Sequence, residues 1–435
     1  MMHWGRPGEP DQMNTEQRIT SFVAAERPAI TSTLADLIAI PTINPPGLGY
    51  EACVDFFSRL LRRWGVDHRV VTVPNGDYPR LSIIGAYGPG DPGLHFHGHY
   101  DVVSAQSPDQ FKPEMREGRL YGRGAADMKG GIVAMLFAIR ALQACGIEMN
   151  RALSFTLVPD EETGGRLGVR HLHAQGLLPR PALGVLMPEP SSGAIWHACR
   201  GVLTLRVVVK GKPAHGALSH HGVNAFEGMV GVMNSLVELK RRVVARQTAF
   251  PVTPAEARHS VMLLGGASAS GVDSNMVPET AWFSIERRIN PEETLAQARG
   301  ELEQVFDEHR ASGLGIDVEV FQEGEACLSP VNTPLGRALA DAVNGRTHGP
   351  ARFELCPGVL ETRFFSGPDV PGYGYGPGLL ELAHGPGEYV ALDALFDCTS
   401  IYAIASARVL GRLVKLLPRK LQAMYSTLPR VTAST

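Results

Sequence analysis

The sequence predicts an α/β protein, a mixed sheet sandwiched by helices, interrupted by a smaller inserted unit. Two observations carry this. Short apolar runs bounded by turn residues alternate with amphipathic helical stretches as far as Met187, as strands and covering helices do. From Gly201 the order changes to strand, helix, strand, strand, helix, strand, and after Leu328 the first pattern resumes.

Taken in order, residues 15 to 38 carry Ile19, Phe22, Val23, Ile30, Leu34, Leu37 and Ile38 at helical spacing. Pro28 interrupts them, which predicts two short helices or one kinked helix. Glu51 to Trp64 is a second amphipathic helix stopped by Gly65. His68 to Val73 and Arg80 to Tyr87 alternate as the strands of a hairpin or sheet edge. Leu94 to Val102 is an inner strand, Ile132 to Leu142 a helix, and Arg151 to Val158 and Ala182 to Met187 are buried strands.

The inserted unit is ferredoxin-like in its order. Its strands are Gly201 to Lys210, Ser260 to Leu264, Trp282 to Ile289 and Gly315 to Phe321, and its helices Asn224 to Val244 and Glu292 to His309. The tail adds a helix at Pro334 to Val343, a Gly- and Pro-rich stretch from Gly358 to Gly387, and a long helix near Ala394 to Leu417. The expected organisation is an extension over 1–14, a main domain over 15–199 and 328–435, and an inserted domain over 200–327.

Composition narrows the function. Net charge is −3 with no basic run, which argues against nucleic acid or an anionic membrane and for a small-molecule partner. The six cysteines have no CxxC pairing and read as reduced thiols of a cytoplasmic protein. There is no apolar leader region and no apolar run of membrane-spanning length.

The chemistry gathers around the run Leu94 to Val103. Side chains alternate along a strand, so His95, His97, His99 and Asp101 share one face. Singly, each is explained as a hydrogen-bonded core residue. Together with acids arriving from other strand ends, they point to a divalent metal that compensates several buried ligands at once. Ligands collect at the carboxyl ends of strands, which favours His99 and Asp101 over His95 and His97. Asp127 lies in a Gly-rich turn before a helix, where a plain N-cap is nearly as good an explanation. Asp160-Glu161-Glu162 and Glu189 follow directly on apolar strands, and His384 is a lone imidazole in the tail loop. Imidazole with carboxylate and no thiolate suits zinc, manganese or cobalt in a hydrolytic centre. The donors suffice for two ions sharing one carboxylate, with one acid left over to accept a proton.

Five stretches then carry a resemblance: HYDVV at His99, GRGAADMKGG at Gly122, DEETGG at Asp160, PEPSS at Pro188 and AHGPGE at Ala383. In this order they resemble the acetylornithine deacetylase and succinyl-diaminopimelate desuccinylase family of two-metal amidohydrolases and peptidases, over nearly the whole chain from Thr15 to Leu417. The resemblance implies a zinc-exopeptidase-like main domain and two divalent metal ions, zinc first. It implies His99 and Glu189 on one metal, Glu162 and His384 on the other, and Asp127 bridging. Asp101 would fix the His99 tautomer, and Glu161 would be the general base toward a metal-bridging hydroxide. His215, in Lys212 to Gly216, resembles the lid histidine that stabilises the oxyanion, commonly in the partner subunit, so that the insert would be lid and homodimer interface. Asn275, Arg288 and Arg363 are similar to positions that hold a substrate carboxylate, although for the two arginines a surface ion pair is an equal reading.

The chain departs from the pattern at Ser104, Gly216 and Glu361-Thr362, and the first two lie in lid or loop positions near the substrate. His95, His97, His220 and His221 have no family role. The expected reaction is hydrolysis of a C–N bond, the amide of an N-acyl amino acid or small peptide. The alternative is an aminohydrolase acting on an aryl amine or carbamoyl-type substrate at the same centre, and a catalytically silent metal-binding scaffold is the reading from another class.

Overall fold

A computed structural model describes residues 13–347, 349–365 and 370–411. Among them no helix is long and apolar enough to cross a membrane. The expected extension falls almost wholly on residues outside this description, as does the chain beyond Gly411.

The larger sheet has nine strands and is mixed. At its centre Pro92–His99 runs parallel to both neighbours, Ala152–Val158 on one side and Gly184–Met187 on the other. His99 pairs with Val158, and Phe96 with Leu186, so three carboxyl ends open on one edge of the sheet. That common edge is where an α/β sheet presents its ligands. Beyond Ala152–Val158 the antiparallel strands Arg80–Tyr87 and Asp67–Val73 complete one wing. On the other side come Gly372–Gly374, Ile195–Cys199 and the short strand Cys327–Leu328, with Phe353–Cys356 also pairing to Ile195–Cys199.

The covering helices are Thr15–Ile38, Tyr50–Trp64, Lys129–Ala144, Pro334–Arg346 and Leu392–Leu410. Lys129–Ala144 is apolar almost all round and buried for most of its length, as a helix inside a layer must be. Its start passes so near the loop after Met187 that a Cβ on Gly131 would lie 2.1 Å from the Pro188 carbonyl oxygen. Only glycine fits that crossing.

Three expectations are corrected. Thr15–Ile38 is one helix that continues through Pro28. The proline is exposed, so the Ala24 carbonyl it leaves unpaired faces water. The central strand stops at His99, and Asp101 therefore lies in the loop beyond it. The last helix ends at Leu410, capped by Gly411, and the rest of the span expected to Leu417 lies outside the described residues.

Residues 201–324 form a separate four-stranded antiparallel sheet in the order Val261–Ser270, Thr280–Ile289, Gly201–Lys210, Gly315–Gly324. Helices Ala225–Val244 and Leu295–Ala311 pack on it around their own apolar core, which includes Val207, Leu236, Phe283 and Phe306. This is the split βαβ order read from the sequence.

Candidate metal centre

Five segments meet at the open edge of the central strands. His99 ends its strand, nearly fully buried. Glu161 and Glu162 sit in the turn after Ala152–Val158, and Glu189 lies just past Gly184–Met187. Asp127 comes from the loop before helix Lys129–Ala144, and His384 from the tail loop with a left-handed backbone, φ 63°.

The donor atoms form two groups. His99 Nε2 lies 3.3 Å from Asp127 Oδ1 and 3.6 Å from Glu189 Oε1. His384 Nε2 lies 3.4 Å from Asp127 Oδ2 and 3.2 Å from Glu162 Oε2. Within each trio all donors are within 4.8 Å of one another, and Asp127 belongs to both. Asp127 Oδ1 and Glu162 Oε1 are buried without a hydrogen bond. A buried carboxylate oxygen with no donor is costly, and a cation between the donors removes that cost. Two imidazoles and three carboxylates, one of them shared, thus fit a pair of divalent ions.

The electrostatics agree. Burial acts to push Asp127 up, yet the facing imidazoles of His384 and His99 hold it well below the usual carboxylate range. His384 is raised to about 10, chiefly by its hydrogen bonds to Asp127 and Glu162. Burial pushes Glu189 well up. It also pushes Glu161 up to about 8, with His99 pulling the other way and Glu162, Glu361 and Asp101 adding to the rise. Glu161 belongs to neither donor trio.

Asp101 is fully buried and does more than face His99. Its Oδ1 lies 3.3 Å from His99 Nδ1. The same oxygen accepts the Glu161 N–H at 3.2 Å, and Oδ2 accepts the Glu162 N–H at 3.1 Å. One carboxylate therefore sets both the imidazole and the acidic turn. Asn44, which no motif marks in the sequence, donates to Asp101 Oδ2 at 2.9 Å and to Thr163 Oγ1 at 2.9 Å, tying that turn to the loop after the first helix.

Glu388 is a second residue that sequence reasoning misses. Its Oε1 accepts the N–H groups of Ala126 and Asp127, each at 3.0 Å, and its Oε2 accepts Arg123 Nη1 at 2.6 Å. Arg123, itself buried, donates on to the His384 carbonyl at 3.1 Å. Two motifs far apart in sequence are joined by this pair. The signal is present in the glutamate that closes AHGPGE and the arginine within GRGAADMKGG.

The remaining sequence candidates lie elsewhere. His215 is exposed in the smaller unit, where its Nδ1 accepts the Ala217 N–H at 3.1 Å. Asn275 is exposed beside it, and its main-chain carbonyl accepts the Gly216 N–H. Arg288 pairs with Glu286 on its own strand at 2.6 Å. Arg363 stacks on Phe364 against the end of strand Gly315–Gly324. His95 and His97 are core residues: His95 bonds Ser154 and Thr156, while His97 bonds Thr156 and, at 2.8 Å, Glu361.

Comparison with known proteins identifies the arrangement. Residues 95–407 match peptidase family M20/M25/M40. The chain belongs to that family. Among its relatives, a probable succinyl-diaminopimelate desuccinylase of Staphylococcus epidermidis is 25% identical over 393 residues, covering 85% of this chain and 95% of the relative. The acetylornithine deacetylase of Edwardsiella ictaluri is 28% identical over 402 residues, covering 88% and 95%. A dinuclear metal-binding M20 peptidase of Bacillus subtilis superposes with a TM-score of 0.63 at 15% identity, covering 89% of this chain and 99% of that one. This M20 chain is accordingly a metal-dependent hydrolase, and the two donor trios are its candidate metal site.

Proposed function

We propose that this M20 protein cleaves the amide C–N bond of an N-acyl amino acid or small peptide. The observation that carries the reading is the pair of donor trios sharing Asp127, with Glu161 beside them and outside both. The names of the two relatives, a desuccinylase and a deacetylase, support the substrate class.

In this reading His99 and Glu189 would hold one divalent ion and Glu162 and His384 the other, with Asp127 shared by both. Zinc is the first candidate, with manganese or cobalt as alternatives. When bound, the ions polarise the scissile carbonyl and lower the pKa of a water. Glu161 would accept a proton from an attacking water at its carboxylate and return it to the departing nitrogen. Asp101 keeps the His99 ring oriented from behind and holds the Glu161 turn by its amides.

Residues 200–327 are the proposed lid and dimerisation domain, set on a catalytic domain of 15–199 and 328–435. His215 would reach over an active site to hold the oxyanion, and Asn275, Arg288 and Arg363 would receive the substrate carboxylate. A homodimer through this unit is supported by its exposed apolar side chains, among them Leu218, Phe226, Val230 and Leu263. A cytoplasmic setting is supported by six free cysteines.

The test is metal analysis combined with turnover on a panel of N-acyl amino acids, dipeptides and aryl amines. Release of free amino acid from the first two groups is expected. Release of ammonia from the aryl amines alone would replace this reading with an aminohydrolase.

A further inference from the structure

Two cysteines unused by the metal chemistry stand where the chain passes between the two sheets. Outward, strand Ile195–Cys199 leads through Arg200 into Gly201–Lys210. On the return, Gly315–Gly324 leads through Glu325 and Ala326 into Cys327–Leu328. The connections press together, since a Cβ on Gly201 would lie 2.7 Å from both the Ala326 nitrogen and the Gly324 carbonyl oxygen. Cys199 and Cys327 are therefore the last residue before the outgoing connection and the first after the returning one.

They are also direct cross-strand partners, Cys327 opposite Cys199 in an antiparallel pair. Residues so paired have Cα atoms about 4.5 to 5.5 Å apart, inside the range of roughly 4.4 to 6.8 Å that a disulfide spans. Their sulfurs lie 2.8 Å apart. Cys199 is fully buried, whereas Cys327 is partly exposed and lines a surface cavity of about 420 Å³ with Gly324, Arg363 and Phe364. One sulfur is thus open to a small reagent and the other waits behind it. The hydrogen bond between the two sulfurs draws Cys199 down to about 7 and, with burial, holds Cys327 well up, so the pair gives up one proton readily and the second with difficulty. Cys356, opposite Cys199 on the other neighbouring strand, is buried.

We infer that Cys199 and Cys327 are a reversible redox site at the hinge between the two sheets, whose disulfide clamps both connections and fixes the smaller unit against the larger. The oxidant is a small-molecule disulfide. Cys327, the accessible sulfur, passes its proton to the Cys199 thiolate beside it and attacks one sulfur of the reagent, forming a mixed disulfide and expelling one thiolate. Cys199, its proton given up to that thiolate, then attacks the Cys327 sulfur and expels the second. Two protein thiols are oxidised, one reagent disulfide is reduced to two thiols, and the two protein protons go to the departing sulfurs. That this clamp would restrain a lid rests on the proposed role of residues 200–327, but the site is read without substrate, so its failure is distinguishable from failure of that reading.

The experiment treats the full chain with oxidised glutathione, then with dithiothreitol. Titratable thiols, the linked peptides and amide hydrogen exchange over 199–202 and 323–328 are followed. The expected result is loss of two of the six thiols, a Cys199–Cys327 linked peptide, and exchange slowed on the order of tenfold in both connections, all reversed by dithiothreitol. Cys327→Ser and Cys327→Ala, at the partly exposed position, show none of these changes. Retention of six thiols, linkage elsewhere, unchanged exchange despite the linkage, or the same response in both variants would overturn the inference.

Discussion

Glu388 Oε1 accepts the main-chain N–H of Asp127 at 3.0 Å, so the residue shared by both donor trios is held from its backbone by the tail of the chain. The other Glu388 oxygen is paired with buried Arg123. Glu388→Ala leaves that guanidinium without its carboxylate, and removing one partner of a buried pair costs about 3–5 kcal/mol. Glu388→Gln keeps a polar acceptor and is the gentler variant. It is expected to fold and to lose roughly 10- to 100-fold in metal affinity, read by competition with a chromogenic chelator.

Metal itself is expected to stabilise the protein. Three separate strand ends and two loops bring the donors together only in the folded chain. Binding to the native state alone adds about 4 kcal/mol at a thousandfold excess over Kd. Thermal denaturation after exhaustive chelation, and again after adding back zinc, manganese or cobalt, should show Tm falling and then recovering. An unchanged Tm with all three would argue against metal at these donors.

Gly131 and Gly300 make opposite predictions from the same substitution. Gly131→Ala drives a Cβ to 2.1 Å from the Pro188 carbonyl oxygen, next to Glu189. It should destabilise by about 1–3 kcal/mol and weaken metal binding through the displaced Glu189. Gly300 lies in helix Leu295–Ala311 with open space where an added methyl would project, so Gly300→Ala should stabilise by roughly 0.5–1 kcal/mol. Urea denaturation of both variants checks the pair.

Much of the frame is legible in the sequence because it depends on local signals. Apolar runs such as Ala152–Val158 and Gly184–Met187 announce buried parallel strands, and acids directly after them fall at the ligand-bearing edge. The five donors come from motifs that, taken in order, carry the family resemblance, and it is the resemblance that implies their convergence. What is not legible depends on pairings across long separations. Glu388 with Arg123 is one, joining residues 265 apart. Asp101 with the amides of Glu161 and Glu162 is another, since backbone donors leave no mark in sequence. His95 and His97 are nearer to hand. Ser154 and Thr156 alternate with apolar residues on the neighbouring strand, and those hydroxyls are their partners. Pro28 misleads because its cost in a helix falls mainly where the freed carbonyl is buried, and here it faces solvent.

His384 belongs to one donor trio and not to the other. Its imidazole contacts Asp127 and Glu162, while His99 and Glu189 form the other trio. His384→Ala should therefore lower bound metal from two ions per chain toward one, read by elemental analysis after gel filtration. Loss of both would mean that the two positions fill only together.

The central claim is that Glu161 is free of the metals and moves the proton, and turnover of a Glu161→Gln variant with its metal content measured on the same sample tests it most directly. The account predicts wild-type metal content, an unchanged far-UV spectrum and a kcat lower by about 10²- to 10⁴-fold. Wild-type kcat with full metal content would contradict it.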